Sequence, residues 1–308
     1  MIPVMFVFLT LSAVLVVREQ SIVRLIIILD IYSLFAFACY LLLSAPDVAL
    51  AEIVVSVFTT IVFVVAFDKY YATAGRVDYE RGPAPKESIA RLVLSGFFVA
   101  ALAFLFYWFM PAQAYDPSLM RQYIDSFRST IGGINAVTSI YLGYRVYDTL
   151  YEALMLLVSI VAVVHLSRHA ELSVSQGEGS HISGSTIAVT TIRLISPIIF
   201  AICVYLTING HISPGGGFQG GVVAASMFVC KYLIHDIYDV RIDKIITFEK
   251  IIFLVFALLV TAFVIAGLQS YMTDLWIPYL IAMNTLIGLK VTCGFLIIFY
   301  RFIALERR

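Results

Sequence analysis

Charged side chains are scarce in this sequence. Asp, Glu, Lys and Arg make up 13% of its 308 residues, about half the share of an ordinary soluble domain. Apolar residues fill 61% of the chain and the mean hydropathy is +0.98, which excludes a water-soluble globular fold. Cysteine is nearly absent. Cys39, Cys203, Cys230 and Cys293 stand singly inside apolar runs, with no C-x-x-C pair and no Cys/His cluster at metal spacing. They read as small buried apolar residues, so no haem, iron-sulfur cluster, zinc or other cofactor is expected on this chain. Neither sign of charge dominates: Lys+Arg and Asp+Glu both total 20, which gives no pull toward nucleic acid or an acidic partner. The basic region that opens a secretory leader is missing too. The first cation, Arg18, follows the first apolar run, and that run is expected to be retained as a span.

What the sequence has is long apolar runs. A helix needs about 20 mostly apolar residues to cross the hydrocarbon, and about nine candidates meet or approach that length. They are 2 to 17, 25 to 43, 48 to 67, 92 to 110, 136 to 167, 187 to 209, 221 to 236, 251 to 268 and 278 to 300, the first and seventh being short. The expected fold class is therefore all-α, a polytopic transmembrane bundle. Basic residues from Arg18 and Arg24 through Lys69, Arg81, Arg168, Lys244 and Lys250 to Arg308 fall on one side of this arrangement, and Arg121 and Arg128 on the other. Cations stay cytoplasmic, so an outer N-terminus and a cytoplasmic C-terminus are expected.

Two connections divide the chain. Residues 68 to 91 are rich in charge, Pro and Gly, and 168 to 186 in Ser, Gly and His, as linkers are. Three blocks result: 1–70 with three helices, 88–168 with two, and 185–308 with four. Residues 111 to 134 form an outer loop with a short surface helix.

Ionisable groups inside spans cost about 2.5–3.5 kcal/mol each on insertion scales, so each needs a function or a partner. The densest group is "YLGYRVYDTLYEALM", residues 141 to 155. On one continuous helix Arg145, Asp148, Thr149 and Glu152 share a face, with Thr138 and Tyr141 one turn outward. One reading is a relay in which Glu152 and Asp148 exchange protons or hold a cation while Arg145 tunes them. The other is a structural ion pair that joins helices. Lys290 lies mid-span, where no water holds its charge. It either trades a proton or is permanently paired with a carboxylate on another helix or subunit. Asp47, after Pro46, reads as a helix cap. Glu52, with Ser56 and Thr59, forms a second polar stripe. Asp30 lies near enough to the cytoplasmic end of its span to reach water. Lys231, His235 and Asp236 read as anchors at the inner end of span seven.

"NGHISPGGGFQGG", residues 209 to 221, contains G-x-G-x-x-G at Gly215, Gly217 and Gly220. Its flanks are membrane spans and no G-K-[ST] follows, which excludes both the dinucleotide and the phosphate-loop readings. Glycine here offers close backbone approach and tight turning at the head of a span. Asn209, His211 and Gln219 are candidates for lining a hydrated ion entrance.

Three passages carry a family resemblance. "SAPDVALAEIVV" resembles the C-terminal block of the large A-type Mrp antiporter component and the small D-type component of membrane-bound hydrogenases. "NAVTSIYLGYRVYDTLYEALMLLVSIVAV" is similar to the E-type hydrogenase component, whose pattern runs F-R-x-x-D-T-x-x-E. Here Tyr144 replaces the Phe, and Tyr151 stands where Gly is common. "NGHISPGGGFQGGVVAAS" resembles the signature of the B-type Mrp component, the F-type component of the hydrogenases. The resemblance implies a fused, non-catalytic subunit of an Mrp-type module. Its partners would be antiporter-like pump subunits and a small three-helix subunit, and Na+ and H+ would move past Glu52, Arg145, Asp148 and Glu152, to which the reading of the residues themselves adds Thr149 and Lys290 as ion-translocation candidates. The antiporter-like domain that precedes the first block in the A-type component is not in this sequence, which leans toward the hydrogenase or sulfur-reductase arrangement. Two alternatives stay open: a membrane-arm subunit of a ferredoxin-driven complex, with iron-sulfur or nickel-iron sites on other subunits, and a scaffold for pump subunits.

Overall fold

The computed structural model describes residues 2–19, 21–71, 118–170, 186–234, 241–265 and 275–303, with isolated residues between 93 and 105. Most of the expected span 92–110 and of the linkers 68–91 and 168–186, together with His235 and Asp236, lies outside the described residues. Among the described residues all regular structure is helical. In chain order the helices are α1 (Ile2–Arg18), α2 (Ile22–Leu42), α3 (Pro46–Tyr71), α4 (Ser118–Thr130), α5 (Ala136–Ser139), α6 (Val146–Ala170), α7 (Thr186–Ile208), α8 (Gly217–Ile234), α9 (Ile242–Ile265) and α10 (Trp276–Ile303). A π-helical segment, Ile140–Tyr144, joins α5 to α6, and a 3-10 turn, Asn209–His211, follows α7. Among the described residues six helices are long and apolar enough to cross a membrane: α2, α3, α6, α7, α9 and α10.

Local chemistry sets the turns. After α2 the N–H of Ala45 reaches the Tyr40 carbonyl at 2.9 Å and that of Ser44 reaches Leu41 at 3.1 Å, with Ser44 at φ 58°. This is a Schellman closure with serine in the left-handed position usually held by glycine. Pro46 then opens α3 at the first helical position, where its missing N–H costs nothing, and α3 folds back along α2.

Helix α10 is the axis of the bundle. More than half of its span is buried (56%), against 11–28% in the other spans. It packs against α8, α9, α6, α7 and α3, through Leu280, Met283, Ile287, Val291, Leu296 and Phe299. The α8–α10 seam is made by glycine. A methyl group on Gly221 would lie 2.6 Å from the Gly288 carbonyl, and one on Gly217 would collide with the Asn284 carbonyl. Small residues are what let two helix backbones approach this closely.

Candidate functional site

Lys290 and Glu249 form an ion pair buried between α9 and α10. Lys290 donates to Glu249 Oε1 across the α9–α10 contact, and the two residues are 1% and 0% exposed. The lysine nitrogen also lies 4.9 Å from the centre of the Phe253 ring, a cation–π contact that suits a desolvated ammonium. Glu249 Oε2 is buried with no hydrogen-bond partner among the described residues. The apolar run alone starts this span at 251 and leaves Glu249 in the preceding loop, whereas α9 begins at Ile242. A signal is nevertheless present. Glu249 continues the buried stripe Ile252, Phe256, Val260 and Phe263, the 3- and 4-residue spacing of a helix core face.

The acidic motif on α6 is built differently from a continuous stripe, which corrects the single-helix reading. The chain is π-helical over Ile140–Tyr144, and the N–H of Arg145 bonds back five residues to Ile140 O at 2.8 Å. Arg145 then leaves helical geometry at φ −122°, ψ 36°, and α6 starts afresh at Val146. The break separates Thr138 and Tyr141 from the motif, and on α6 itself Thr149 lies on the side that faces the bundle. Thr149 is buried and donates at 2.7 Å to the Tyr141 carbonyl across the break. The π segment is held from other sides by Tyr279, which donates to Leu142 O at 3.2 Å, and by Tyr141, which donates to Asn284 Oδ1 at 2.9 Å. Such insertions are frequent at functional positions. Arg145, Asp148 and Glu152 instead point away from the bundle, with Arg145 and Asp148 paired at 2.5 Å. Thr149→Val should leave the Tyr141 carbonyl without its side-chain donor and cost about 1 kcal/mol. Hydrogen exchange of the 140–146 amides is expected to speed up while exchange in α9 does not change.

The glycine loop is a knot that ties the start of α3 and the α5 region to the segment between α7 and α8. Asp47, a helix cap by sequence position, accepts at 3.1 Å from Asn135 Nδ2 and at 3.1 Å from the Gly215 N–H. Asn135 also donates to the carbonyls of Gly210 and Ser213, each at 3.1 Å, and Thr138 donates to Gly210 O at 2.7 Å. Asn284 Oδ1 takes the Gly217 N–H at 3.0 Å, while Asn284 Nδ2 is buried with no partner among the described residues. Gly215 and Gly216 have φ of 143° and 146°, values that a side chain tolerates poorly. His211 is buried, its ring Nδ1 lies 3.0 Å from Ile208 O, and its carbonyl caps the N–H groups of Ile134 and Asn135. Asn209 and Gln219 are half-buried. Asn135 and Asn284 escape a reading of the sequence, because an isolated amide at a span end carries no periodic signal.

Glu52 is half-buried on α3. The stripe expected for it divides: Ser56 turns to Asp30 Oδ1 at 3.1 Å, and Thr59 bonds its own backbone at Val55 O. Thr60 also reaches Asp30 Oδ1, at 3.0 Å. Asp30 is therefore bonded between α2 and α3, rather than a group that only reaches water at a span end.

Known proteins share both the sequence blocks and this architecture. Residues 187–306 match the model of a domain related to the MnhB subunit of Na+/H+ antiporter, and residues 7–71 match that of the D subunit of MBH. The putative antiporter subunit mnhA2 of Staphylococcus epidermidis is 30% identical over 139 residues, 44% of this chain and 16% of that protein. The B subunit of the Na+/H+ antiporter of Alkalihalophilus pseudofirmus is 39% identical over 74 residues, 24% of this chain and 50% of that protein. The chain thus spans between about one sixth and one half of the length of these two relatives. Among solved structures, that of the Mrp complex from Dietzia sp. DQ12-45-1b superposes with a TM-score of 0.73 at 20% identity, covering 97% of this chain and 34% of the matched chain. At that identity the fold is what is shared. Toward its two ends, then, the chain carries a region that matches the D subunit of MBH, residues 7–71, and one that matches a domain related to the MnhB subunit of Na+/H+ antiporter, residues 187–306.

Proposed function

We propose that this chain is a non-catalytic membrane subunit of a multisubunit Mrp-type complex in a prokaryotic cell membrane, where it contributes to Na+ and H+ translocation. The observation that carries the reading is the Lys290–Glu249 pair, sealed between two spans with one carboxylate oxygen unbonded. Buried ion pairs are poor devices for stability, since well-packed apolar residues serve as well or better. A buried acceptor without a donor is rare enough to need a reason. A visiting proton or cation supplies one. In this reading Arg145 just before α6, Asp148 and Glu152 on α6, and Glu52 on α3 are the other stations, Thr149 fixes the α6 motif, and Asn209, His211 and Gln219 flank the entrance. The partners are antiporter-like pump subunits and a small three-helix subunit.

A second reading is favoured by the match of residues 7–71 to the D subunit of MBH. It makes the chain part of a ferredoxin-driven hydrogenase or sulfur-reductase membrane arm, with redox sites on other subunits. The subunit composition of the purified complex separates the two. The translocation role itself is tested by Glu152→Gln in the assembled complex reconstituted in vesicles. Na+-dependent proton exchange is expected to fall at least tenfold with assembly intact. Unchanged exchange would reduce the α6 carboxylates to scaffolding.

A further inference from the structure

The charged face of α6 points outward in a part of the chain that is long and apolar enough to cross a membrane. That span runs from Val146 to Ser167, and Glu152 lies six residues beyond its start, about 9 Å along the axis. At that depth lipid is a hostile neighbour for ions, and ionisable side chains face protein or a hydrated cavity. Arg145 and Asp148, 60% and 56% exposed, neutralise one another. Glu152 is exposed and has no ion pair among the described residues, so this face carries one uncompensated negative charge. Around it stand Tyr147, Tyr151 and Met155, which are 51%, 63% and 71% exposed and follow one another at four-residue spacing along the same side of the helix. Tyrosine is among the residues enriched where protein surfaces meet.

We infer that this face is the docking surface for a transmembrane helix of another subunit that carries a Lys or Arg level with Glu152. The inference rests on the proposed membership of a multisubunit complex and adds the place and the chemistry of one contact. Charge complementarity decides the occupant. An apolar helix or lipid would leave Glu152 desolvated and unpaired, and a second copy of this chain would set two negative surpluses against each other.

The test uses the intact complex in native membranes, with a photoreactive amino acid replacing Tyr151. Irradiation should join this chain to one other subunit, and mass spectrometry should locate the junction in a transmembrane segment with Lys or Arg within one helical turn. In the same background Glu152→Lys should lower the adduct yield at least tenfold at unchanged abundance of the chain. Adducts with lipid alone, with this chain itself, or with a segment lacking a basic residue overturn the inference, as does an unchanged yield with Glu152→Lys. Ion exchange is not the readout. A mapped basic partner combined with normal exchange in Glu152→Gln would keep the docking surface and remove the translocation role, and the reverse pattern would do the opposite.

Discussion

Replacing Lys290 by methionine is expected to destabilise the chain by about 3–5 kcal/mol, because Glu249 is then left charged and unpaired between α9 and α10. Glu249→Gln strands the lysine and should cost a similar amount. Both residues are almost fully buried, so neither charge can turn to water, and Lys290 sits too far from either end of α10 to extend its head to the interface. The double replacement, Lys290→Met with Glu249→Gln, removes both charges together and should recover most of the loss. Membrane abundance and thermal midpoint of the solubilised complex give the measurement. Single variants as stable as the parent would mean that the pair is not held as described.

The second large effect belongs to the α8–α10 seam. A Cβ on Gly221 meets the Gly288 carbonyl at 2.6 Å and Val291 Cβ at 2.8 Å, and one on Gly217 meets the Asn284 carbonyl. The obstructing atoms include backbone in each case, so no side-chain rotation relieves them. Gly221→Ala is expected to cost at least the roughly 1–3 kcal/mol of ordinary overpacking. Gly217→Ala should cost more, since its methyl also presses on the bonds that tie Tyr141 and Gly217 to Asn284. Gly96→Ala, where nothing lies within 4 Å of the added carbon, is the matched control and should be neutral. Thermal midpoints of the three variants in detergent rank them, and an equal ranking would contradict the seam.

How much of this is legible in the sequence follows from what each signal depends on. Apolar runs are local, so α2, α3, α6, α7, α9 and α10 are readable as span candidates before any contact is known. The 209–221 loop stands out by composition. Its physical reason, close approach of α8 to α10 and a polar knot with Asp47 and Asn135, depends on residues far away in the chain. Asp47 shows the limit: at a helix start a carboxylate reads as a cap, and only the tertiary fold brings Gly215 and Asn135 to it. The α6 motif shows another. Periodicity places Asp148, Thr149 and Glu152 on one arc of α6 but does not say where that arc meets the bundle: Thr149, about 100° round the helix from Asp148, is buried, while Asp148 and Glu152 face out. Lys290 is conspicuous because a mid-span cation has no ordinary explanation. Its partner is hidden because Glu249 sits among Asp243, Lys244 and Lys250, where charge density imitates a membrane boundary.

Ion movement rather than packing is the role proposed for the Lys290–Glu249 pair. The measurement that decides is Na+-dependent proton exchange by the complete complex in vesicles, carrying Lys290→Met together with Glu249→Gln and first shown to be assembled. Exchange reduced at least tenfold in a complex of normal composition is the predicted result. Exchange at the parental rate would contradict it, and would make the buried pair a joint between two helices and nothing more.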